Sequence, residues 1–212
     1  MKKKIIISSV AVVLLVVAGV FLFGGSKSSS EGELAKVKAV KANIVDKALA
    51  IAARPDVIFT SFGDMLRVPG TQTSLEGLRA QGAEVRVVYS PLDAVELARQ
   101  TPEKHLVFFG VGFETTMPAT ALAIQSAAHH ELDNFSVCCV HKTMPAALKA
   151  LLSSGDVRVS GLLCPGHVTT IIGTAAFDFI PAEFGLPCAV AGFEPVDMLL
   201  GIESLLRQMK EG

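Results

Sequence analysis

Four short stretches hold the residues best suited to chemistry. Asp64 and Arg67 lie in Phe62-Gly63-Asp64-Met65-Leu66-Arg67-Val68-Pro69-Gly70, and Glu114, Thr115 and Thr116 follow Gly112-Phe113. His167 sits in Cys164-Pro165-Gly166-His167-Val168-Thr169-Thr170, and Glu194 and Asp197 fall in Gly192-Phe193-Glu194-Pro195-Val196-Asp197. Carboxylates and an imidazole can exchange protons with a bound group, and a guanidinium fixes an anion by paired hydrogen bonds. The same residue types also cap helices, because hydroxyl and carboxylate oxygens satisfy the free N–H groups of a first turn. A solitary histidine is often only a hydrogen-bonded structural residue. What favours a site is convergence, since all four stretches fall where a strand gives way to a helix, on one expected sheet edge.

Several chemistries are excluded by spacing. No G-x-G-x-x-G opens a helix, no G-x-x-x-x-G-K-[ST] is present and no G-x-S-x-G elbow exists, which removes the usual dinucleotide, P-loop and serine-hydrolase readings. A hydrolase-type α/β enzyme using Glu114, His167 and Glu194 stays open, as does a membrane-tethered interaction module. The net charge of -1 gives no reason to expect nucleic acid. The four cysteines, Cys138, Cys139, Cys164 and Cys188, form no C-x-x-C pair, so neither a zinc knuckle nor a disulfide framework is expected. Cys138, Cys139 and Cys188 read as small packed hydrophobes. Cys164 is the one cysteine beside a site motif, and so the one candidate for a metal or redox role.

The elements that must carry these residues alternate in period. Apolar runs at Val57–Phe62, Val85–Tyr89, Leu106–Val111, Phe135–Val140, Val159–Leu163 and Cys188–Gly192 have the length of buried parallel strands. Between them, 74–81, 92–100, 119–129, 145–153, 169–184 and 195–210 carry apolar residues at three- and four-residue intervals. The last has Met198, Leu199, Ile202, Leu205, Leu206 and Met209 on one face and reads as a packing helix. The prediction is an α/β fold of parallel-sheet, Rossmann-like lobes with flanking helices, a first lobe over 44–125 and a second over 126–212. The triplet Gly112-Phe113-Glu114 recurs as Gly192-Phe193-Glu194, which suggests two related lobes.

The amino-terminal part reads differently. Lys2, Lys3 and Lys4 precede Ile5 to Phe23, 19 residues without a charge, the length of a membrane-crossing helix. Residues 1–25 are therefore expected to form a hydrophobic helix, an uncleaved signal-anchor, with the lysines on the cytoplasmic side and the remainder outside. Residues 26–43 read as a polar and basic linker.

Taken in order, Arg54-Pro55-Asp56-Val57-Ile58-Phe59, Phe62 to Gly70, Val87-Val88-Tyr89-Ser90-Pro91-Leu92-Asp93-Ala94, Phe108 to Thr116, Pro165-Gly166-His167-Val168, Ile171-Ile172-Gly173 and Ala191 to Asp197 resemble the hydrogenase formation protein family HypD, over about Ile44 to Gly212. The resemblance implies a cytoplasmic scaffold on which iron acquires the cyanide and carbonyl ligands of the Fe(CN)2CO unit of nickel–iron hydrogenases. It also implies a HypC-like chaperone and a HypE-like cyanide donor as partners. By motif position, Asp64, Arg67, Glu114, Thr115, Thr116, His167, Glu194 and Asp197 would line or support that family's cleft. The family's Cys-Gly-Gly-His and Gly-Pro-Gly-Cys-Pro-x-Cys stretches do not occur in this sequence. Nor does it contain the cysteine-bearing region for the family's four-iron four-sulfur cluster, so iron chemistry is expected to be impaired in a truncated or rearranged chain.

Overall fold

The computed structural model describes residues 11–15, 20–24, 44–155 and 157–211. The chain divides into two compact units. One comprises Leu34–Gly112 and Thr116–His141, and the other Met1–Glu33, Phe113–Thr115 and Lys142–Gly212.

The first unit is a three-layer α/β body. Four parallel strands, β3 (Val57–Ser61), β4 (Val85–Val87), β5 (His105–Gly110) and β6 (Phe135–Cys139), lie in the order β4-β3-β5-β6. Side chains alternate across a strand, so Val57, Phe59, Val107 and Phe109 pack into one buried cluster, while Ile58, Leu106 and Phe108 pack into another. A helix over 44–52, α1, contributes Val45, Ala48, Leu49 and Ala52 to the first cluster with Leu75 of α2 (Leu75–Ala80). The α3 helix (Pro91–Gln100) gives Ala94 and Ala98 to the second cluster, and its Val95 packs with Ala123 and Ala127 of α4 (Met117–His129). Helices on both faces explain why these strands read as unbroken apolar runs. Two buried hydroxyls tie β3 to β5: Thr60 Oγ1 donates to the Val107 carbonyl at 3.2 Å and Ser61 Oγ to that of Phe109 at 3.3 Å.

The Ser90-Pro91-Leu92-Asp93 motif has a structural role here. Ser90 and Asp93 form a reciprocal capping box, with Asp93 Oδ2 accepting from the Ser90 N–H at 2.9 Å, and Pro91 opens α3 with a φ already helical. Helix α1 was not anticipated, although its buried residues follow the i, i+3, i+4, i+7 rule.

The second unit holds β7 (Gly161–Pro165) and β8 (Cys188–Ala191), which run parallel, with α5 (Met144–Ser153), α6 (Gly166–Ile172), α7 (Phe179–Phe184) and α8 (Pro195–Glu211). Its sheet runs β1-β2-β7-β8, and β1 (Ala11–Leu15) and β2 (Val20–Gly24) are antiparallel additions, so the sheet is mixed rather than parallel throughout. The core joins Met144, Leu148 and Leu152 of α5 with Leu162, Cys164, Val168, Phe177 and Ile180.

Three expectations are corrected here. Where one apolar helix was expected, residues 11–15 and 20–24 are strands. Their Val and Phe content favours extended backbone, and the edge of β7 supplies hydrogen-bond partners, with Phe21 opposite Leu163 and Phe23 opposite Gly161. No helix of the described residues is long and apolar enough to cross a membrane; the rest of the proposed anchor and the linker over 26–43 lie outside the described residues. The single helix expected over 169–184 is broken into α6, a 3-10 turn at Thr174–Phe177, and α7, because Gly173 takes φ 81° and ψ 162°, outside the helical region. Finally, only part of the α8 stripe packs. The helix meets β7 through Gly201, where an added Cβ would come within 2.6 Å of Leu163 Cδ1, and buries Leu205, leaving Leu199 (66%) and Leu206 (60%) exposed.

Candidate functional site

Strand order places the first unit's turns. The chain leaves β3 for β4 on one side and returns to β5 on the other, so the crevice between the carboxyl ends of β3 and β5 is the topological switch point of the sheet, where open α/β sheets bind ligands. The loop after β3 starts as a 3-10 turn, Gly63–Arg67, that buries Leu66 and leaves Asp64 and Arg67 exposed. Its far end is clamped to α1: the Thr71 N–H donates to Asp46 Oδ1 at 2.7 Å and the Thr71 hydroxyl donates to Asp46 Oδ2. These bonds hold the Asp46 carboxyl below the usual carboxylate range. Gly70 packs closely at this clamp: a Cβ would sit 2.6 Å from both Asp46 Oδ1 and Leu49 Cδ1 and would displace those side chains.

At the β5 end, Gly112 adopts φ 149°, and a Cβ there would collide with Oγ1 of Thr116 at the start of α4. Glycine thus lets the loop fold back upon the helix N-terminus. Beside it, Cys139 Sγ lies 3.3 Å from Nδ1 of His141, whose imidazole burial pushes below its ordinary pKa. This thiol–imidazole pair was missed as one, although a two-residue spacing at a strand end places both side chains on one face.

In the second unit, Glu114 is the most buried of the candidates, only 7% exposed. Its Oε1 accepts the Met144 N–H at 2.7 Å, which caps the first turn of α5, while its Oε2 is buried without a hydrogen-bond partner. Thr115 is exposed. His167 follows β7 directly and stacks on Phe193 from the turn after β8, with ring centroids 4.9 Å apart, and its Nδ1 is buried and unpartnered. Thr169 does not cap from an N-terminal position; its hydroxyl donates to the Pro165 carbonyl at 2.9 Å inside α6. Glu194 is exposed, and Asp197 lies in the first turn of α8 with Oδ2 against Gly192. Ala189, Val190, Ala191, Gly192, Asp197 and Ser204 line a shallow groove of about 430 Å³ beside it.

The expectation of one sheet edge therefore changes, because the strands belong to two sheets. Asp64, Arg67 and Thr116 belong to the first unit, whereas Glu114, Thr115, His167, Glu194 and Asp197 belong to the second. The two copies of the Gly-Phe-Glu triplet use their glutamates differently: Glu114 is a buried helix cap, and Glu194 is exposed. Among the described residues, no group of three or more His, Cys, Asp or Glu side chains could hold a metal ion. The Cys164 thiol, the one candidate for a metal or redox role, hydrogen-bonds to the thiol of Cys188.

Parallel strands with helices between them, and Gly-rich turns bearing carboxylate, guanidinium and imidazole groups at the strand ends, define an α/β protein whose polar turns follow its strands. Residues 36–212 match the family described as HypD: Hydrogenase formation hypA family, and the chain belongs to that family. It is 53% identical over 168 residues to the hydrogenase maturation factor HypD of Rhodobacter capsulatus, covering 79% of this chain and 45% of that relative. The figures are 48% over 164 residues, 77% and 44% for the hydrogenase maturation factor HypD of Escherichia coli strain K12. For that of Cupriavidus necator they are 41% over 175 residues, 79% and 46%. The chain spans about half the length of the curated relatives it matches.

Proposed function

We propose that this chain is the central α/β body of a HypD-type maturation scaffold, serving assembly of the Fe(CN)2CO unit of nickel–iron hydrogenases together with a HypC-like chaperone and a HypE-like cyanide donor. What carries the reading is its identity to relatives named hydrogenase maturation factor HypD, with the motifs quoted for the resemblance falling at strand ends. In this reading iron is cargo. Asp64 and Arg67 on the exposed turn after β3 receive anionic or hydrogen-bonding groups of the cargo or partner, a guanidinium being suited to cyanide-bearing groups. Glu114, by capping α5, fixes the turn that carries Thr115 and Thr116. His167, held by Phe193, offers an imidazole beside Glu194 and Asp197. Because Cys-Gly-Gly-His and Gly-Pro-Gly-Cys-Pro-x-Cys do not occur in the sequence, the reading assigns the chain partner docking and cargo support, with iron loading impaired.

The test mixes the full chain with HypC-like and HypE-like proteins and reads complex formation by pull-down and iron-bound cyanide and carbonyl by infrared spectroscopy. The expected result is a complex with weak or absent bands. Failure to bind either partner overturns the scaffold reading, and full-strength bands overturn the impairment.

A further inference from the structure

In the parallel ladder of β7 and β8, Leu162 stands opposite Cys188 and Cys164 opposite Val190. Alternate residues share a face, so the two cysteines project to the same side of the sheet, one diagonal step apart. Their thiols hydrogen-bond to one another. The surroundings of the two are unequal. Cys164 is 1% exposed in the core with Leu162, Val168, Phe177 and Ile180, whereas Cys188 opens an edge strand and is only partly buried against that cluster.

That asymmetry divides the roles of the pair. The hydrogen bond from Cys164 draws the Cys188 thiol down to about 7, against burial and the nearby Asp178 charge, which both push it up. The same bond, together with burial, drives Cys164 upward. An accessible thiolate next to a buried S–H donor is the arrangement that thiol–disulfide exchange requires. Cys138, by contrast, has its thiol raised by burial and no thiol partner across a ladder.

We propose that Cys164 and Cys188 form a redox-active dithiol, which a low-molecular-weight disulfide oxidises to an intrachain disulfide joining β7 to β8. The Cys188 thiolate attacks one sulfur of the oxidant, the oxidant's S–S bond breaks, and one thiolate leaves and is protonated. Cys164 then loses its proton and attacks Cys188 Sγ, expelling the second thiolate. Two protein thiols are oxidised to one disulfide, and the oxidant is reduced to two thiols.

The bond would be felt at the strand ends. Bridged Cα atoms stand roughly 4.4–6.8 Å apart, so closing a diagonal pair shears the start of β8 toward β7. Gly166, just beyond β7, lies tight against the end of β8, where an added Cβ would sit 2.7 Å from the Ala191 carbonyl oxygen. A shear between the strands therefore reaches the β7–α6 turn and the His167–Phe193 stack, making the dithiol a redox switch on that turn.

The test uses the full chain, reduced and then exposed to glutathione disulfide near neutral pH, with intact mass and peptide mapping as readouts. The expected product is a Cys164–Cys188 cross-linked peptide with loss of two hydrogens, with Cys138 still open to alkylation after denaturation. In Cys164→Ala, which keeps no hydrogen-bond donor, the glutathione adduct accumulates on Cys188. With Cys188 returned toward its ordinary 9.0 from about 7, its thiolate fraction falls about fifty-fold at pH 7. The greater nucleophilicity of the less acidic thiol recovers about eight-fold, so capture slows about six-fold. A stable adduct on Cys188 of the unmutated chain, or no reaction at either cysteine, overturns the proposal.

Discussion

Replacing Glu114 by alanine isolates the most buried polar group of the candidate site. The substitution removes the bond from the Met144 N–H to Oε1 at 2.7 Å, a carboxylate bond at a helix start. Such a bond is worth about 1.5–3 kcal/mol, with about 0.3–1 kcal/mol more from the helix dipole. One buried methylene is lost as well, at about 0.8 kcal/mol. Against this, Oε2 is already buried without a partner, and its removal returns about 1–3 kcal/mol. The net loss is about 2 kcal/mol, which for a chain of this size lowers the melting temperature by about 4–8 °C. Thermal unfolding followed by circular dichroism measures it, with Glu114→Gln alongside. Glutamine keeps an acceptor for the Met144 N–H and is expected to lose less than half as much. If Glu114→Ala melts with the parent, or if glutamine is as damaging as alanine, the capping argument is wrong.

Gly112→Ala is expected to destabilise the first unit by about 1–3 kcal/mol, because it places a Cβ at φ 149° and against Thr116 Oγ1; urea unfolding measures this, and an unchanged midpoint would contradict it. The Glu84 carboxyl is lowered from its ordinary 4.5 by hydrogen bonds from Lys104 and then Arg86. Its contribution is therefore present above the unfolded value and lost as the pH falls from about 4.5 through the lower folded value. The carboxylate is 30% exposed and both cations are more so, which limits the effect to below about 1 kcal/mol and makes it salt-sensitive. Glu84→Gln should be slightly less stable than the parent at neutral pH and equal to it at acid pH; a difference that grows on acidification would reverse the sign.

Much of the fold is written locally. Runs such as Leu106 to Phe109 are apolar on both faces because helices cover both sides of β5, so the strands of the parallel body could be read directly. The residues following each strand were legible for the same reason, since turns are set by neighbours in sequence, whereas the Ser90–Asp93 capping box, equally local, was not read. Runs of small and apolar residues were ambiguous. The stretch from Ile5 to Phe23 satisfies the length rule for a helix, yet its described parts pair as strands, because a β edge is a long-range partner invisible to a sequence window. The α8 stripe misled for a related reason: the contact is set by Gly201, whose missing side chain lets the helix approach β7 closely.

Sequence alone determined that this is an α/β protein of the HypD type, and which turns carry its carboxylates, arginine and histidine. Tertiary structure decided how those residues are used. It put Glu114 beneath a helix as a cap, turned Glu194 to solvent, stacked His167 on Phe193 and set Cys164 against Cys188, 24 positions away in the chain. The physical reason is that a turn or a cap follows from residues a few positions apart, whereas burial and thiol pairing depend on which strands become neighbours.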